Sequence, residues 1–421
     1  MKKNPRMAVL VLGFFAAVIL VTTSCGRDPI FHIISTETPP VPPLIRGGPT
    51  QMVVFDWGSD EESRVPVLFV ASGGLFWYSA TEHDRDDEGN VIAGTNAGWQ
   101  KNIGIPNRPS GRIIDIATTQ NHLYILSMEG TGVDTTIHRL ESGGSSWVPI
   151  GFPPGSGNIQ SVFADPEGER LFAGVQSGGI SFIYYLADGS VNLSPLPTGT
   201  RILPNEQPTD NTGLLSGVVY RAGSYFLTTR NGVFEVGRGW LTGDDMARTF
   251  MGMIKLPDGT IIAITRAGGF LYQVNVDGLE RIPIGDDFMR AGRDVTGALS
   301  LWDEVDSQGN VIPDRRMLIA GIQGSRHSTT FINGYVEFSL NEDGSLDTSI
   351  PRREAGSPGG LWSVQDTARY RTSLGRLPIN HLFQAPREID VNMTFFASTQ
   401  SAGLWSYRDL EAGGWQWNAE N

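Results

Sequence analysis

The chain of 421 residues holds a single cysteine, Cys25, which excludes any internal disulfide and any paired-thiol redox or metal chemistry. Lysine is almost missing: past the first few residues only Lys101 and Lys255 remain, and every other strongly basic side chain is arginine. The six histidines, at positions 32, 83, 122, 138, 327 and 381, have no metal-ligand spacing, so no metal site is read. GxSxG and HExxH are both absent, which removes the usual serine-hydrolase elbow and the helical zinc-protease site. Beyond residue 21 there is neither a long apolar run nor sustained 3.6-residue periodicity, so a helical architecture is excluded. Positive charge is scarce as well. The formal net charge is −13, and −16 once Lys2, Lys3 and Arg6 are set aside, which argues against nucleic acid as a partner and against charge-driven binding to anionic lipid.

What is present begins with a leader. Lys2, Lys3 and Arg6 precede Met7–Val21, an apolar stretch broken only by Gly13, and then come Thr22, Thr23, Ser24 and Cys25. A lone cysteine placed just after such a stretch and behind a small residue resembles the lipobox of bacterial lipoproteins, with Thr22 standing where that pattern usually has Leu. The resemblance implies cleavage before Cys25, acylation of its thiol and amino group, and a mature chain outside the cytoplasm anchored by more than one acyl chain. Gly26 follows in place of an inner-membrane retention Asp, which implies the outer membrane rather than the inner. Residues 25–50 then form the acylated end and a tether. Six prolines among Ser, Thr and Gly favour extended polyproline II and cannot build a core. Residues 51–421 are expected to form one domain.

That domain is written in a recurring phrase: an apolar strand, a Gly-containing turn, and a second strand rich in aromatic and β-branched residues. It reads VLFVASGGLFWYS at Val67–Ser79 and returns at Leu171–Tyr185, Tyr225–Val236, Ile261–Val274, Leu318–Phe338 and Phe395–Tyr407, with a looser copy at Leu123–Leu140. A short apolar strand precedes each copy, as at Gln51–Trp57, Arg112–Ala117 and Ile379–Gln384. A fourth strand follows near Trp99, Trp147, Trp240 or Trp415. With 52 Gly, 25 Pro and tight Asp-Gly turns at Asp258-Gly259 and Asp343-Gly344, the pattern predicts an all-β β-propeller of seven four-stranded blades, with six or eight also compatible with the ragged spacing. Insertions are read at Asp303–Arg315 and Ile350–Gly375, and Gly413–Asn421 reads as a last outer strand that lets the ring close without a strand from the N-terminus.

In such a ring the strand 2–3 turns and the links from strand 4 to the next strand 1 emerge on one face. The turns carry Arg230, Arg266, Arg326 and His327; the links carry Arg108, Arg112, Arg248, Arg290, Arg293 and Arg376. Two links echo each other, Gly243-Asp244-Asp245-Met246-Ala247-Arg248 and Gly285-Asp286-Asp287-Phe288-Met289-Arg290. Guanidinium forks alternating with carboxylates would suit an anionic glycan or an acidic loop of an envelope or extracellular protein. Equally, Arg248 with Asp244 or Asp245, and Arg290 with Asp286 or Asp287, would staple loop to loop. The acidic stretch Glu82–Asn90 imitates the start of a calcium loop, but Thr95 falls where the bidentate carboxylate is needed, so it reads as a solvated hairpin. No catalytic set and no cofactor motif is read.

The strands Gly74-Leu75-Phe76 and Gly403-Leu404-Trp405 resemble the repeats of sensor-type and NHL-like propellers over most of residues 51–417. That resemblance implies a binding platform; propeller lipoproteins include scaffolds for outer-membrane assembly, and surface adhesion is another such role. Glu141–Trp147, Glu411–Trp417 and Asn96–Trp99 are similar to the Asp-boxes of sialidases but lack the Asp, which leaves a sialidase-like or other carbohydrate-active enzyme as the alternative reading. Phe76, Trp77, Phe234 and Trp405 are expected in the core between blades rather than on a sugar-stacking platform.

Overall fold

The computed structural model describes residues 45–58, 64–79, 98–101, 109, 111–130, 134–178, 180–187, 190–196, 215–241, 249–266, 269–283, 293–305, 311–324, 334–348, 378–390, 392–410 and 414–420. Cys25, the tether up to residue 44, the acidic loop 82–90 and the insertion 350–375 lie outside them.

Seven antiparallel sheets, each a meander in chain order, form the blades. Blade 1 is β1 (Met52–Trp57), β2 (Val65–Ala71), β3 (Leu75–Ser79) and β4 (Gly98–Lys101). Blade 2 is β5 (Arg112–Thr118), β6 (His122–Glu129), β7 (Asp134–Glu141) and β8 (Val148–Pro149). Blade 3 is β9 (Asn158–Ala164), β10 (Leu171–Ser177), β11 (Ile180–Leu186) and β12 (Ser194–Pro195). Blade 4 is β13 (Leu215–Arg221), β14 (Ser224–Thr229), β15 (Gly232–Glu235) and β16 (Gly239–Trp240). Blade 5 is β17 (Phe250–Lys255), β18 (Ile261–Thr265), β19 (Leu271–Asn275) and β20 (Gly278–Arg281). Blade 6 has β21 (Arg293–Val305), β22 (Val311–Gly324) and β23 (Gly334–Ser339), with an antiparallel bridge from Leu340 to Leu346 where a fourth strand would stand. Blade 7 is β24 (Ile379–Gln384), β25 (Phe395–Thr399), β26 (Leu404–Leu410) and β27 (Gly414–Ala419).

The first strands of successive blades contact one another in order, and β24 meets β1, so the chain closes into a seven-bladed β-propeller. Each copy of the Gly-turn phrase is the strand 2–3 hairpin of one blade. The insertion expected at Asp303–Arg315 proves to be mostly an extension of the β21–β22 hairpin, with Val305 paired to Val311.

The alternation along each strand follows from the blade geometry. A second strand is covered by a neighbouring blade on both faces and is apolar for most of its length, and in β18 and β25 a buried Ser or Thr stands near its end. All five residues of β18 and all five of β25 are buried. Six clusters fill the gaps between blades: one joins blades 1 and 2, one 2 and 3, one 3 and 4, one 4 and 5, one runs through 5, 6 and 7, and one joins 7 to 1. Each large side chain in them is worth roughly 1.5–3 kcal/mol of burial. Phe76, Phe234 and Trp405 are buried there, and Trp77 packs against the blade 1–2 cluster, with its ring 6.1 Å from that of Trp57.

Closure between blades 7 and 1 uses no exchanged strand. The segment ahead of β1 threads the seam instead. Gly403 N donates to Gly47 O at 2.9 Å and Leu404 N to Ile45 O at 3.1 Å, and Ile45 is fully buried between the two blades. Ser398 Oγ donates to Thr50 O at 2.9 Å, and Tyr78 OH donates to the buried Asp390 carboxylate at 2.9 Å. Tyr78 also packs against Phe396 across the seam at 5.3 Å between ring centroids. Replacing Tyr78 with Phe keeps the ring packing and leaves a buried carboxylate oxygen short of a donor. Denaturant unfolding of this variant should show a loss of about 1–3 kcal/mol, whereas an unchanged midpoint would mean that the seam does not limit stability.

Candidate functional site: a cavity in the propeller channel

The inner strands share one irregularity. In blades 2, 3, 4, 5 and 7 one extra residue interrupts the register with strand 2: Ile114, Gln160, Ser216, Met251 and Asn380. In blade 6 three residues, Thr296–Ala298, stand opposite Gly321 alone. A bulge bends the strand and re-aims its side chains. Here Ser216, Met251, Thr296 and Asn380 are turned onto a cavity of about 350 Å³ on the propeller axis, near the start of most inner strands and so toward the face of the 2–3 turns.

The residue after each bulge sets how closely neighbouring inner strands approach. In blades 4 and 5 it is Gly217 and Gly252. A Cβ on Gly217 would sit 3.3 Å from Met253 N, and one on Gly252 would sit 2.5 Å from Gly297 O. Gly297 itself has φ +91° and would bring a Cβ within 2.3 Å of Met251 O. These strands therefore pack backbone to backbone. In blades 2 and 7 the corresponding residues are Asp115 and His381, and their side chains span the gap. Asp115 Oδ2 accepts from Val162 N of blade 3 at 2.9 Å while its Oδ1 accepts from Ile116 N at 3.0 Å. His381 Nδ1 accepts from Met52 N of blade 1 at 3.1 Å. Gln51 continues this wall: its Nε2 donates to Val162 O at 3.1 Å and also to Ile116 O. The cavity is thus lopsided: Asn380, His381, Gln51 and Asp115 from blades 7, 1 and 2 face glycine backbone, Met251 and Met253 from blades 4, 5 and 6, where Ser216 and Thr296 are the polar side chains.

Burial governs both titratable groups of the lining. Loss of water raises Asp115 from its ordinary 3.8 to about 7, outweighing the two backbone N–H donors that hold the value down. Burial lowers His381 from 6.5 to about 4. Because a backbone N–H can only donate, Nδ1 is the bare nitrogen and Nε2 carries the proton of the neutral ring.

The arginines singled out from the sequence lie elsewhere. Arg230 and Arg266 are exposed in the 2–3 turns of blades 4 and 5, and Arg112 is exposed at the start of β5, its side chain beside Gly73. Arg266 joins two blades through its backbone, with N donating to Thr249 O and its carbonyl accepting from Val295 N. None of the three lines the cavity. Arg293 begins β21. Arg108, Arg248, Arg290, Arg326, His327, Arg376, Asp244, Asp245, Asp286 and Asp287 lie outside the described residues. Among the described residues no group of three His, Cys, Asp or Glu could hold a metal. The sequence reading passed over Gln51, Asp115, Asn380 and His381. Their signal was a polar residue near the start of an otherwise apolar inner strand.

No family model matches the chain, and no curated protein matches it. Solved structures do. YCF48 from Cyanidioschyzon merolae is 13% identical with a TM-score of 0.45, covering 87% of this chain and 97% of its own. The GH74 xyloglucanase from Xanthomonas campestris is 15% identical with a TM-score of 0.50 over 89% of this chain, which spans about half (55%) of the enzyme. Virginiamycin B lyase from Staphylococcus aureus is 10% identical with a TM-score of 0.44, covering 86% of this chain and 97% of its own. At these identities the likeness is one of fold. The class defined by the fold is the seven-bladed β-propeller.

The two lining groups make opposite contributions to stability. For Asp115 the folded value lies above the unfolded one, so its contribution is full below pH 3.8 and is lost as pH rises through 7. For His381 the folded value lies below the unfolded one, so its contribution is full above pH 6.5 and is lost as pH falls through 4. Relative to the native chain, Asp115→Asn should lose more stability toward acid pH across 7 to 4, and His381→Gln should do the reverse. Each difference should run at up to about 1.4 kcal/mol per pH unit. Unfolding titrations with parallel pH profiles for all three proteins would reject this account.

Proposed function

We propose that this chain is a lipid-anchored, extracytoplasmic β-propeller that serves as a binding platform at the bacterial cell envelope, as an assembly scaffold or a surface-binding protein. The observation that carries this reading is the use to which the lining groups are put. Asp115 and His381, the titratable side chains of the cavity among the described residues, are each spent on a backbone N–H of the next blade. They hold the ring's shape and bring no bare base to a substrate. The leader ending at Cys25 supports the anchor, and Gly26 supports the outer membrane. The exposed Arg112, Arg230 and Arg266 support an acidic protein or anionic glycan as the partner of the turn face.

Expression of the full chain with labelled palmitate should label the membrane fraction, and Cys25→Ala should abolish the label and free the protein from that fraction. In the same cells, Arg230→Ala combined with Arg266→Ala should lower cross-linking to envelope components severalfold. Label retained in Cys25→Ala would sink the anchor, and cross-linking unchanged in the double variant would sink the arginine face.

The alternative, a carbohydrate-active enzyme, draws on the raised Asp115, since a protonated carboxyl is what a glycosidase acid requires. Such enzymes ordinarily pair two carboxyls about 5–10 Å apart, and among the described residues Asp115 is the only carboxylate lining the cavity. Chromogenic sialosides and β-glucosides should therefore go uncleaved. Turnover abolished by Asp115→Asn with the fold intact would favour the enzyme instead.

A further inference from the structure

Resting on the binding-platform reading, we infer that the channel cavity is itself a ligand site, distinct from the arginine-bearing turn face, and that it takes a neutral polyhydroxylated ring of the size of a single sugar. Its volume of about 350 Å³ lies at the small end of ligand pockets, which run roughly 300–1,000 Å³.

The polar wall has hydrogen-bonding capacity left over. With Nδ1 of His381 engaged by Met52 N, its Nε2–H remains to donate. Both hydrogen bonds of Gln51 use its Nε2, which leaves its carbonyl oxygen to accept. The Asn380 side chain is exposed and lines the cavity, offering two donors and an acceptor. The wall thus offers both donors and acceptors, as a molecule with several hydroxyls requires.

Charge is what the site does not offer. Among the described residues no lysine or arginine lines it, so the described wall offers an anion no counter-ion. Asp115 is held by two N–H groups between blades, and its burial disfavours the charged form, which makes it a poor counter-ion for a cation. Met251, Met253 and Phe163 supply an apolar wall for the C–H face of a ring, and the glycine backbones beside them keep the space open.

Titrating the full chain in detergent micelles with glucose, N-acetylglucosamine, glucosamine and glucuronic acid tests the inference. Saturation-transfer NMR and calorimetry should register at least one of the two neutral sugars, with the cationic and anionic ones about tenfold weaker or silent. Asn380→Ala should weaken binding about tenfold, the equivalent of one lost hydrogen bond. Met251→Trp should fill the cavity and abolish binding, with melting temperatures close to that of the native chain. No binding by either neutral sugar, equal binding of the charged ones, or binding that persists in both variants would overturn it. A failure here, with palmitate labelling and arginine-dependent cross-linking intact, rejects the sugar site and leaves the platform reading standing.

Discussion

Seven inner strands have to converge on one axis, and the gap between each neighbouring pair has to be filled without stranding a backbone N–H. Most of what is distinctive here comes from that constraint. Where the residue after the bulge is Gly217 or Gly252, the next strand moves in until backbone touches backbone. Where it is Asp115 or His381, the next strand stays back and the side chain reaches across to Val162 N or Met52 N. A buried N–H left unpaired costs about 1–3 kcal/mol, so these side chains are structurally required whatever else they do. The channel is asymmetric as a result, tight and apolar on one side, wider and polar on the other.

The same constraint explains the closing seam. A propeller whose last blade takes its outer strand from the C-terminus has no covalent clasp, and β27 completes blade 7 with β24, β25 and β26. The first and last blades are joined by Ile45 and Gly47 against Gly403 and Leu404, by Tyr78 on Asp390, and by His381 on Met52 N. Packing of Tyr78, Trp99 and Phe396 rings at 5.1–5.5 Å gives this seam an aromatic core of its own. One histidine therefore belongs to the seam and to the cavity wall at once.

Blade architecture was legible because it rests on local patterns. Doubly covered second strands such as Ile261–Thr265 must be apolar for most of their length, and the turn after them favours Gly, so the phrase repeats wherever a blade does. The site was far less legible. Asp115 and His381 came to line one cavity through closure of the ring, a juxtaposition of blades 2 and 7 that no local pattern encodes. Bulges left a faint trace, a polar residue inside a short apolar strand, at Ser216, Asn380 and Thr296. Arginine, being conspicuous in a lysine-poor chain, drew attention to the turns instead. Three of those arginines, Arg112, Arg230 and Arg266, are exposed, and none of them lines the cavity.

Two surfaces of different chemistry then stand near one face, and they call for different partners. Exposed guanidinium groups in water attract anions weakly and over several ångströms, and they suit a large acidic surface that engages many at once. The cavity is small, and the burial that raises Asp115 and lowers His381 disfavours charge on the side chains of its polar wall. A neutral ring could enter without competing for the arginines. The proposed platform and the proposed sugar site thus rest on places of different physical chemistry. The hydrogen bonds that hold blades 2, 3, 7 and 1 in register connect them, because they form one wall of the cavity.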